Sequence, residues 1–182
     1  MPSGPSTRLR RVSRRSVAIG AVAIGLSSIL MLSLAWGLTH AALSNPPVLG
    51  RAAPVLAIQT AAGQQARVPD QRGRPVVLNF WASWCGPCLE EGRVLGAASS
   101  ANPGVAFVGA DNRDTESAFA AFERLNPHPY PAGPIVDGTY QSYGVAGLPA
   151  TFFIDSRGVV VASFVGPLDA ATLDHYLALI AT

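Results

Sequence analysis

Hydrophobic residues along this chain recur in short runs separated by turn-forming residues, which is typical of a domain in which strands and helices alternate. The clearest run is 75–81 (PVVLNFW), which is rich in β-branched and aromatic residues and is nearly all apolar. Such a run predicts a central strand that is buried on both faces. Five further strands are predicted, at 55–59, 66–68, 105–110, 150–155 and 159–164. Helices are predicted at 85–100, 115–125 and 169–180, and the Pro-rich segment 126–134 is predicted to be a loop.

The order of these elements predicts an α/β domain with a mixed sheet. The residue pair Ala62-Gly63 separates the first two strands and indicates a hairpin, and the turn 156–158 joins the last two strands. A strand–helix–strand unit followed by an antiparallel hairpin implies a mixed central sheet with helices on both faces. Residues 70–73 are predicted to form a turn, and Asp114 is the candidate N-cap of the second helix.

An uncharged apolar segment of 22 residues, 17–38, precedes this domain. As a helix it would be ~33 Å long, enough to cross a hydrocarbon core of ~30 Å. Trp36, near its far end, suits an interfacial anchor. Five arginines lie before the segment: Arg8, Arg10, Arg11, Arg14 and Arg15. By the positive-inside rule, residues 1–16 are therefore expected in the cytoplasm, and the chain beyond about Ala42 is expected outside it.

This pattern predicts four parts: a basic cytoplasmic N-terminus (1–16), a single-pass transmembrane anchor or uncleaved signal (17–42), a Pro-containing linker (43–52) and a folded domain (53–182). The alternative for the second part is a cleaved signal peptide, whose apolar region is ordinarily only ~7–15 residues long. Ser13-Arg14-Arg15 resembles the start of a twin-arginine signal, but Thr39-His40-Ala41 is a poor cleavage site. Both alternatives place the folded domain on the extracytoplasmic side of the cell membrane.

Charge and cysteine content exclude several classes of function. Beyond Arg15 the chain has 8 Arg against 11 Asp and Glu, a net charge of −3, so it offers no basic footprint for nucleic acid. Two cysteines are too few for a disulfide scaffold or, without clustered histidines, for a zinc site. His40, His128 and His175 are scattered along the sequence, so we expect no metal.

The two cysteines carry the candidate chemistry, because Trp84-Cys85-Gly86-Pro87-Cys88 directly follows the buried strand and opens a helix. The free N–H groups and the positive dipole end of a helix N-terminus stabilise a thiolate, which is the attacking species in disulfide exchange. Cys85 is thus the predicted nucleophile. Cys88, nearly one turn further on the same face, is the predicted resolving thiol.

Two other uses of these cysteines are possible in principle. A static disulfide over so short a loop would contribute little chain-entropy stabilisation. Covalent haem attachment needs a His directly after the second cysteine, where this chain has Leu89. Redox activity is therefore the favoured interpretation.

The segments 76–91 (VVLNFWASWCGPCLEE) and 147–155 (GLPATFFID) resemble the thioredoxin superfamily. More narrowly, they are similar to its membrane-anchored, extracytoplasmic thiol–disulfide oxidoreductases, including those that serve cytochrome c maturation. The resemblance covers roughly 53–180. It implies a thioredoxin fold, with a mixed central sheet flanked by helices, preceded here by the N-terminal transmembrane segment and a β-hairpin.

The resemblance also implies roles for residues outside the two cysteines. Leu148-Pro149 matches the position of a cis-proline that packs against the cysteine pair and presents extended backbone to the substrate. The alternative is an ordinary trans proline at the start of a strand. Together with Leu148 and Pro149, the residues around the cysteines form the implied substrate-binding set: Trp84, Gly86 and Pro87.

A carboxylate near the resolving thiol is the third implication. Thioredoxin has a buried Asp where this chain has Asn79, whose amide cannot accept a proton. The extracytoplasmic subfamily carries a Glu three residues after the second cysteine, and Glu91 stands there, on the helix face of Cys88. Glu91 could accept the Cys88 proton, or it could merely complement the helix dipole. Arg93 stands where the family often has Pro, which is a departure from its pattern.

The function that this resemblance implies is reduction of disulfides in exported proteins, with apocytochrome c among the candidate substrates. A membrane-embedded electron donor would recharge the dithiol, and no cofactor is implied. Two alternatives remain open: an oxidase that inserts disulfides into exported proteins, and a non-catalytic thioredoxin-like binding module. A peroxide-reducing relative is disfavoured, because Ala82 stands where that family has Thr.

Overall fold

The computed structural model describes residues 14–44, 48–69 and 73–181. The chain divides into two compact units, with the boundary between Ala41 and Ala42. The first consists of most of helix α1 (Arg14–Ser44), and the described side chains between residues 22 and 36 are exposed. Within the part of the chain that is described, no helix is both long and apolar enough to qualify as a membrane span. The transmembrane anchor predicted over 17–42 is therefore not shown by the structure.

The second unit is built around one mixed sheet. Its elements, within residues 48–69 and 73–181, are β1 (Leu56–Gln59), β2 (Gln65–Val68), β3 (Val76–Trp81), α2 (Gly86–Ala101), β4 (Ala106–Asp111), α3 (Glu116–Leu125), β5 (Ala132–Asp137), a 3₁₀ helix (Tyr140–Tyr143), β6 (Ala150–Ile154), β7 (Val160–Val165) and α4 (Ala170–Ile180). The strand order is β2-β1-β5-β4-β3-β6-β7. Strand β4 runs parallel to both β3 and β5, and the remaining neighbours are antiparallel. The predicted hairpins and the fully buried strand β3 are confirmed.

Strand β5 was missed, because 126–134 was predicted to be a loop. Gly133 and Pro134 both disfavour a strand by propensity. In the folded chain, however, β5 is paired on both sides, with β1 and β4. A Cβ atom on Gly133 would lie 1.8 Å from the carbonyl oxygen of Gln59, so the glycine permits a close approach of the two backbones.

The two faces of the sheet are covered differently. Along β3, Leu78 and Phe80 contribute to one core, whereas Val77 and Trp81 contribute to the other. The second core takes side chains from all three α-helices of this unit: Leu95, Phe119 and Leu173. The first core is closed by Tyr143 of the 3₁₀ helix, whose hydroxyl donates to the carbonyl of Pro54 at 2.6 Å. Helices were predicted on both faces of the sheet. The α-helices of this unit pack on the second face, and the first face is covered by the short 3₁₀ helix alone among the described helices.

The N-cap predicted for α3 was wrong. Thr115 caps the helix by accepting a hydrogen bond from the N–H of Ala118 at 3.2 Å. Asp114 instead accepts a hydrogen bond from the N–H of Ser83 at 2.7 Å, in the loop that leads from β3 to α2. Residues 70–72 of the turn predicted at 70–73 and the centre of the linker predicted at 43–52 lie outside the described residues.

Candidate active site

The cysteine pair lies where buried strand β3 gives way to helix α2. Cys85 is the N-cap of α2 and has extended backbone dihedrals, and Cys88 lies in the first turn. A disulfide joins them, with a Cα–Cα distance of 5.3 Å. The N–H of Cys85 donates to the carbonyl of Ala82, and the N–H of Cys88 donates to that of Cys85, each at 3.1 Å. These bonds place both sulfur atoms at the positive end of the helix, as the motif predicted.

The cysteines are almost equally buried, with exposed fractions of 5% for Cys85 and 6% for Cys88. The residues around them are open to solvent: Trp84 has an exposed fraction of 66%, and Gly86 and Pro87 are also exposed. In this disulfide-bonded state, burial alone therefore does not distinguish the two cysteines. Their positions relative to the helix end do distinguish them, because only Cys85 occupies the N-cap.

The segment before β6 approaches the same region. The Leu148–Pro149 peptide bond is cis, as the resemblance implies, and Pro149 is buried. Its carbonyl accepts a hydrogen bond from the N–H of Gly166 at 2.9 Å. Leu148 is half-buried and packs against the core cluster that includes both cysteines. The structure thus brings Leu148 to the core that holds the cysteine pair.

Behind the cysteines, Glu91 is buried within a polar network. It lies on the same face of α2 as Cys88, and its exposed fraction is 1%. Oε2 accepts a hydrogen bond from Asn79 Nδ2 at 2.8 Å. Oε1 accepts from the hydroxyl of Thr151 at 3.2 Å and from the N–H of Leu168 at 3.3 Å. The Thr151 hydroxyl in turn accepts from Asn79 Nδ2 at 2.9 Å, so each polar member has a partner.

This environment changes the acidity of Glu91. Burial raises the pKa of Glu91 to about 7, because desolvation penalises the carboxylate. The hydrogen bonds from Asn79, Leu168 and Thr151 oppose that rise without cancelling it. Glu91 can therefore both gain and lose a proton near neutral pH, which is the property required of a general acid or base.

Sequence reasoning placed Glu91 near Cys88 but missed Thr151 and the Leu168 amide. Thr151 lies directly opposite Asn79 in the antiparallel pairing of β3 with β6. A polar residue within each of two apolar strands was the signal that could have found this pair. The Leu168 amide comes from the loop before α4, 77 residues along the chain, and nothing local indicates its position.

A cavity of about 330 Å³ adjoins the site on the side of α3. Its lining includes Cys88, Asn79, Arg93 and the 126–129 loop. In that loop, His128 binds the Glu123 carboxylate through both its N–H and its Nδ1, at 2.9 and 2.7 Å. Arg93, which stands where the family often has Pro, thus forms part of the wall of this cavity.

A dithiol at a helix start, a cis-proline in the segment before β6 and a mixed sheet beneath them define the class of thioredoxin-like redox proteins. The chain belongs to the Redoxin family, which it matches over residues 49–180. It is 31% identical over 133 residues to a thiol-disulfide oxidoreductase ResA of Bacillus cereus, covering 71% of this chain and 76% of that one. It is 32% identical over 125 residues to the thiol:disulfide interchange protein DsbE of Pseudomonas fluorescens biotype C, covering 67% and 69%.

Solved structures agree with this assignment. A protein from Chlorobium tepidum assigned as a thiol:disulfide interchange protein DsbE has a TM-score of 0.67 at 27% identity, covering 74% of this chain and 98% of that one. A secreted Mycobacterium tuberculosis disulfide oxidoreductase, homologous to Escherichia coli DsbE, has a TM-score of 0.57 at 25% identity, covering 68% and 94%. The protein is therefore an enzyme of the thiol–disulfide oxidoreductase class.

Proposed function

We propose that this enzyme reduces disulfides in exported proteins through Cys85 and Cys88, on the extracytoplasmic side of the cell membrane. The observation that carries the proposal is the placement of Cys85 at the N-cap of α2, with a titratable carboxylate, Glu91, buried behind Cys88. A structural disulfide would need neither the helix end nor the carboxylate.

The proposed reaction transfers two electrons from the dithiol to the substrate. The Cys85 thiolate attacks one sulfur of the substrate disulfide, whose S–S bond breaks and releases the first substrate thiol after protonation. Cys88 then loses its proton and attacks the Cys85 sulfur, which breaks the mixed disulfide and releases the second substrate thiol. The enzyme is left with the Cys85–Cys88 disulfide, which is the state in this structure.

Glu91 is proposed to accept the proton that Cys88 releases. Burial makes a thiol harder to ionise, so a nearby proton acceptor speeds the second step. Asn79 serves as a donor that orients the carboxylate, since its Nδ2 binds Glu91 Oε2. The proton would return to solvent or to the departing substrate thiolate.

Substrate binding is proposed to involve the exposed rim of the site. Trp84, Gly86 and Pro87 are exposed beside the cysteines, and the half-buried Leu148 and the buried Pro149 are proposed to form the opposite edge. A partly unfolded substrate segment could lie between these two edges with its disulfide facing Cys85. Apocytochrome c is one candidate, because the subfamily that the sequence resembles includes enzymes of cytochrome c maturation.

Membrane attachment is proposed from the N-terminal unit. The uncharged run 17–38 follows five arginines, and large apolar side chains on α1, from Val22 to Trp36, have exposed fractions of 57–71%. Such a surface needs an apolar environment. The secretion of the Mycobacterium tuberculosis relative supports an extracytoplasmic domain. A tethered reductase would also lie close to a membrane-embedded electron donor, which it needs in an oxidising compartment.

The reduction potential of the Cys85–Cys88 pair tests the direction of transfer. We expect a value nearer to that of thioredoxin, about −270 mV, than to that of the oxidase DsbA, about −120 mV. The wild-type domain should reduce insulin disulfides when supplied with dithiothreitol, and Cys85→Ser should not. A potential near that of DsbA would favour the oxidase instead. A wild-type domain that neither reduces insulin nor oxidises a dithiol peptide would favour a non-catalytic binding module.

A further inference from the structure

A pair of acidic residues, Asp111 and Asp114, lies beside the loop that carries Cys85. Asp114 Oδ2 accepts a hydrogen bond from the N–H of Ser83 at 2.7 Å. Ser83 lies within the turn closed by the Cys85 N–H and the Ala82 carbonyl. Asp114 is not used as a helix cap, because Thr115 performs that role. Its hydrogen bond therefore ties the segment after β4 to the turn that positions Cys85.

Asp111 is the other member of this pair and has an unusual environment. Its exposed fraction is 3%, and both of its carboxylate oxygens are buried without a hydrogen-bond partner, as is Oδ1 of Asp114. Burial, and then the negative charge of Asp114, raises the pKa of Asp111 to about 7. The backbone N–H of Asp114 opposes this rise only in part. A buried carboxylate so short of donors is costly in its charged form, whereas a proton between two carboxyl groups satisfies both.

The surroundings of the pair offer little competing charge. Two cavities flank it, and among the described residues that line them the one cation is Arg113. The guanidinium of Arg113 donates to the hydroxyl of Tyr140 and lies 4.9 Å from the centre of that ring. Glu116, at the start of α3, lines one of the two cavities and adds a third acid. The remaining lining residues come from β1, β5, α3 and the segments that follow β1, β4 and β5, and they are uncharged.

We propose that Asp111, which lines the same two cavities as Asp114, holds a proton that bridges to the Asp114 carboxylate, and that this protonated pair is a positioning device for the Cys85 loop. When the proton is lost, the two adjacent carboxylates repel each other, and this repulsion displaces the Asp114 carboxylate from its position at the Ser83 N–H. The added negative charge also disfavours the nearby thiolate. Cys85 then becomes less reactive than its own ionisation alone would predict. This inference rests on the proposed role of Cys85 as the nucleophile.

Matched substitutions separate the shared proton from the hydrogen bond to Ser83. In Asp114→Asn the side-chain oxygen can still accept from Ser83, and the amide N–H can donate permanently to Asp111. In Asp114→Ala both contacts are lost. Asp111→Asn likewise replaces the shared proton by an amide donor. Asp174→Asn is the control, because Asp174 is an exposed carboxylate on α4.

The readout is the rate of Cys85 alkylation by iodoacetamide in the reduced domain, from pH 5 to pH 9. Because Glu91 also titrates near pH 7, each variant is measured in a Glu91→Gln background. We expect an inflection near neutral pH, besides that of the thiol, in the parent and in Asp174→Asn. It should be absent in Asp111→Asn. In Asp114→Asn it should move to lower pH, because Asp111 remains buried but has lost the neighbouring charge and gained an amide donor. Asp114→Ala should react roughly tenfold more slowly at pH 6, and Asp114→Asn should keep the parent rate there.

An inflection that persists in Asp111→Asn, or that stays at the parent pH in Asp114→Asn, would overturn the proposal, as would parent-like reactivity in a folded Asp114→Ala protein. If Asp114→Ala does not fold, the two Asn variants still decide the matter. Insulin reduction by Cys85→Ser, measured separately, shows whether the underlying role of Cys85 is at fault. An inactive Cys85→Ser protein with unchanged Asn variants would reject the carboxyl pair alone.

Discussion

At the scale of single residues, the proposed site contains one carboxylate, Glu91, that is buried but fully hydrogen-bonded. Glu91 receives donors from β3, β6 and the loop before α4, so its position is set by three separate parts of the chain. Its raised pKa follows from desolvation, and its hydrogen bonds limit that rise. The same carboxylate that is available to take up a proton is thus also a structural element of the core.

Replacement of Glu91 by Gln should slow turnover with substrate while leaving the fold intact, because the amide keeps most of the network but cannot accept a proton. General bases ordinarily contribute ~10²–10⁴-fold, and solvent access to the site would reduce the loss. In the parent the rate should rise with pH through about 7, as Glu91 loses its proton, and this rise should vanish in the variant. Steady-state kinetics across pH 5–9 measure both effects.

The matched control is Glu90→Gln, since Glu90 is exposed on the same helix turn. It removes a negative charge from the helix start without touching the buried network. If the two variants behave alike, Glu91 acts only through the helix dipole.

The two thiols of the reduced enzyme should differ in reactivity, although they are almost equally buried in the disulfide. Only Cys85 occupies the helix N-cap, where a thiolate is stabilised. A brief treatment with iodoacetamide near pH 7 should therefore label Cys85 alone, as peptide mass spectrometry would show. Comparable labelling of Cys88 would reverse or abolish the assignment of roles.

At the scale of elements, β5 shows how pairing can override local preference. Its sequence contains Gly133 and Pro134, yet it lies between β1 and β4 in the middle of one half of the sheet. The glycine is required there because the Gln59 carbonyl occupies the space of a side chain. This strand connects the N-terminal hairpin to the part of the sheet that carries the site.

Substituting Gly133→Ala should destabilise the domain by about 3 kcal/mol, because backbone must move to accommodate the new methyl group. Gly92→Ala is the contrasting variant: Gly92 lies within α2, and a Cβ there would meet nothing within 4 Å. It should leave stability unchanged or raise it by up to ~1 kcal/mol. Urea denaturation of both variants measures the difference, and equal stability would contradict the assigned role of Gly133.

At the scale of the whole molecule, two buried acids link stability to pH. The pKa values of Glu91 and Asp111 are both raised by burial to about 7, from ordinary values of 4.5 and 3.8. The folded state therefore binds more protons than the unfolded state between about pH 4 and pH 7. The contribution of these two groups to the free energy of unfolding is fully present at the acidic end of that window, and it is lost as the pH rises through about 7.

The oxidised domain should accordingly be more stable at pH 5 than at pH 8, by as much as roughly 3 kcal/mol for each group. Glu91→Gln and Asp111→Asn should each reduce this difference, because an amide does not titrate. Chemical denaturation at the two pH values tests the expectation. A free energy of unfolding that is flat or increases with pH would show that the two carboxyls are not protonated in the folded state.

The proposed topology belongs to the same scale. The full-length protein should remain with membranes after a high-salt wash, because an apolar anchor is insensitive to salt, whereas surface charge pairing is screened. A reporter fused after Thr182 should be active only outside the cytoplasm. Activity confined to the cytoplasm would exclude the proposed orientation.

Local sequence was sufficient for most of the elements and for the centre of the site. Alternating and continuous apolar runs predicted six of the seven described strands, because side-chain periodicity directly reflects burial. The cysteine pair was found for the same local reason: five consecutive residues place it between a buried strand and a helix start. The cis Leu148–Pro149 bond and Glu91 were reached only through the resemblance, since proline geometry and a side-chain role are not encoded by periodicity.

By itself, then, the sequence determined the redox motif, the helices and the hairpins, all of which depend on neighbours within about one element. Tertiary structure alone decided the pairing of β5 and the gathering of the helices on one face of the sheet. It also decided which distant groups surround Glu91, and that Asp114 binds Ser83 instead of capping α3. These features depend on contacts between residues far apart in the chain, whose free energies outweigh the local preferences that a sequence pattern reports.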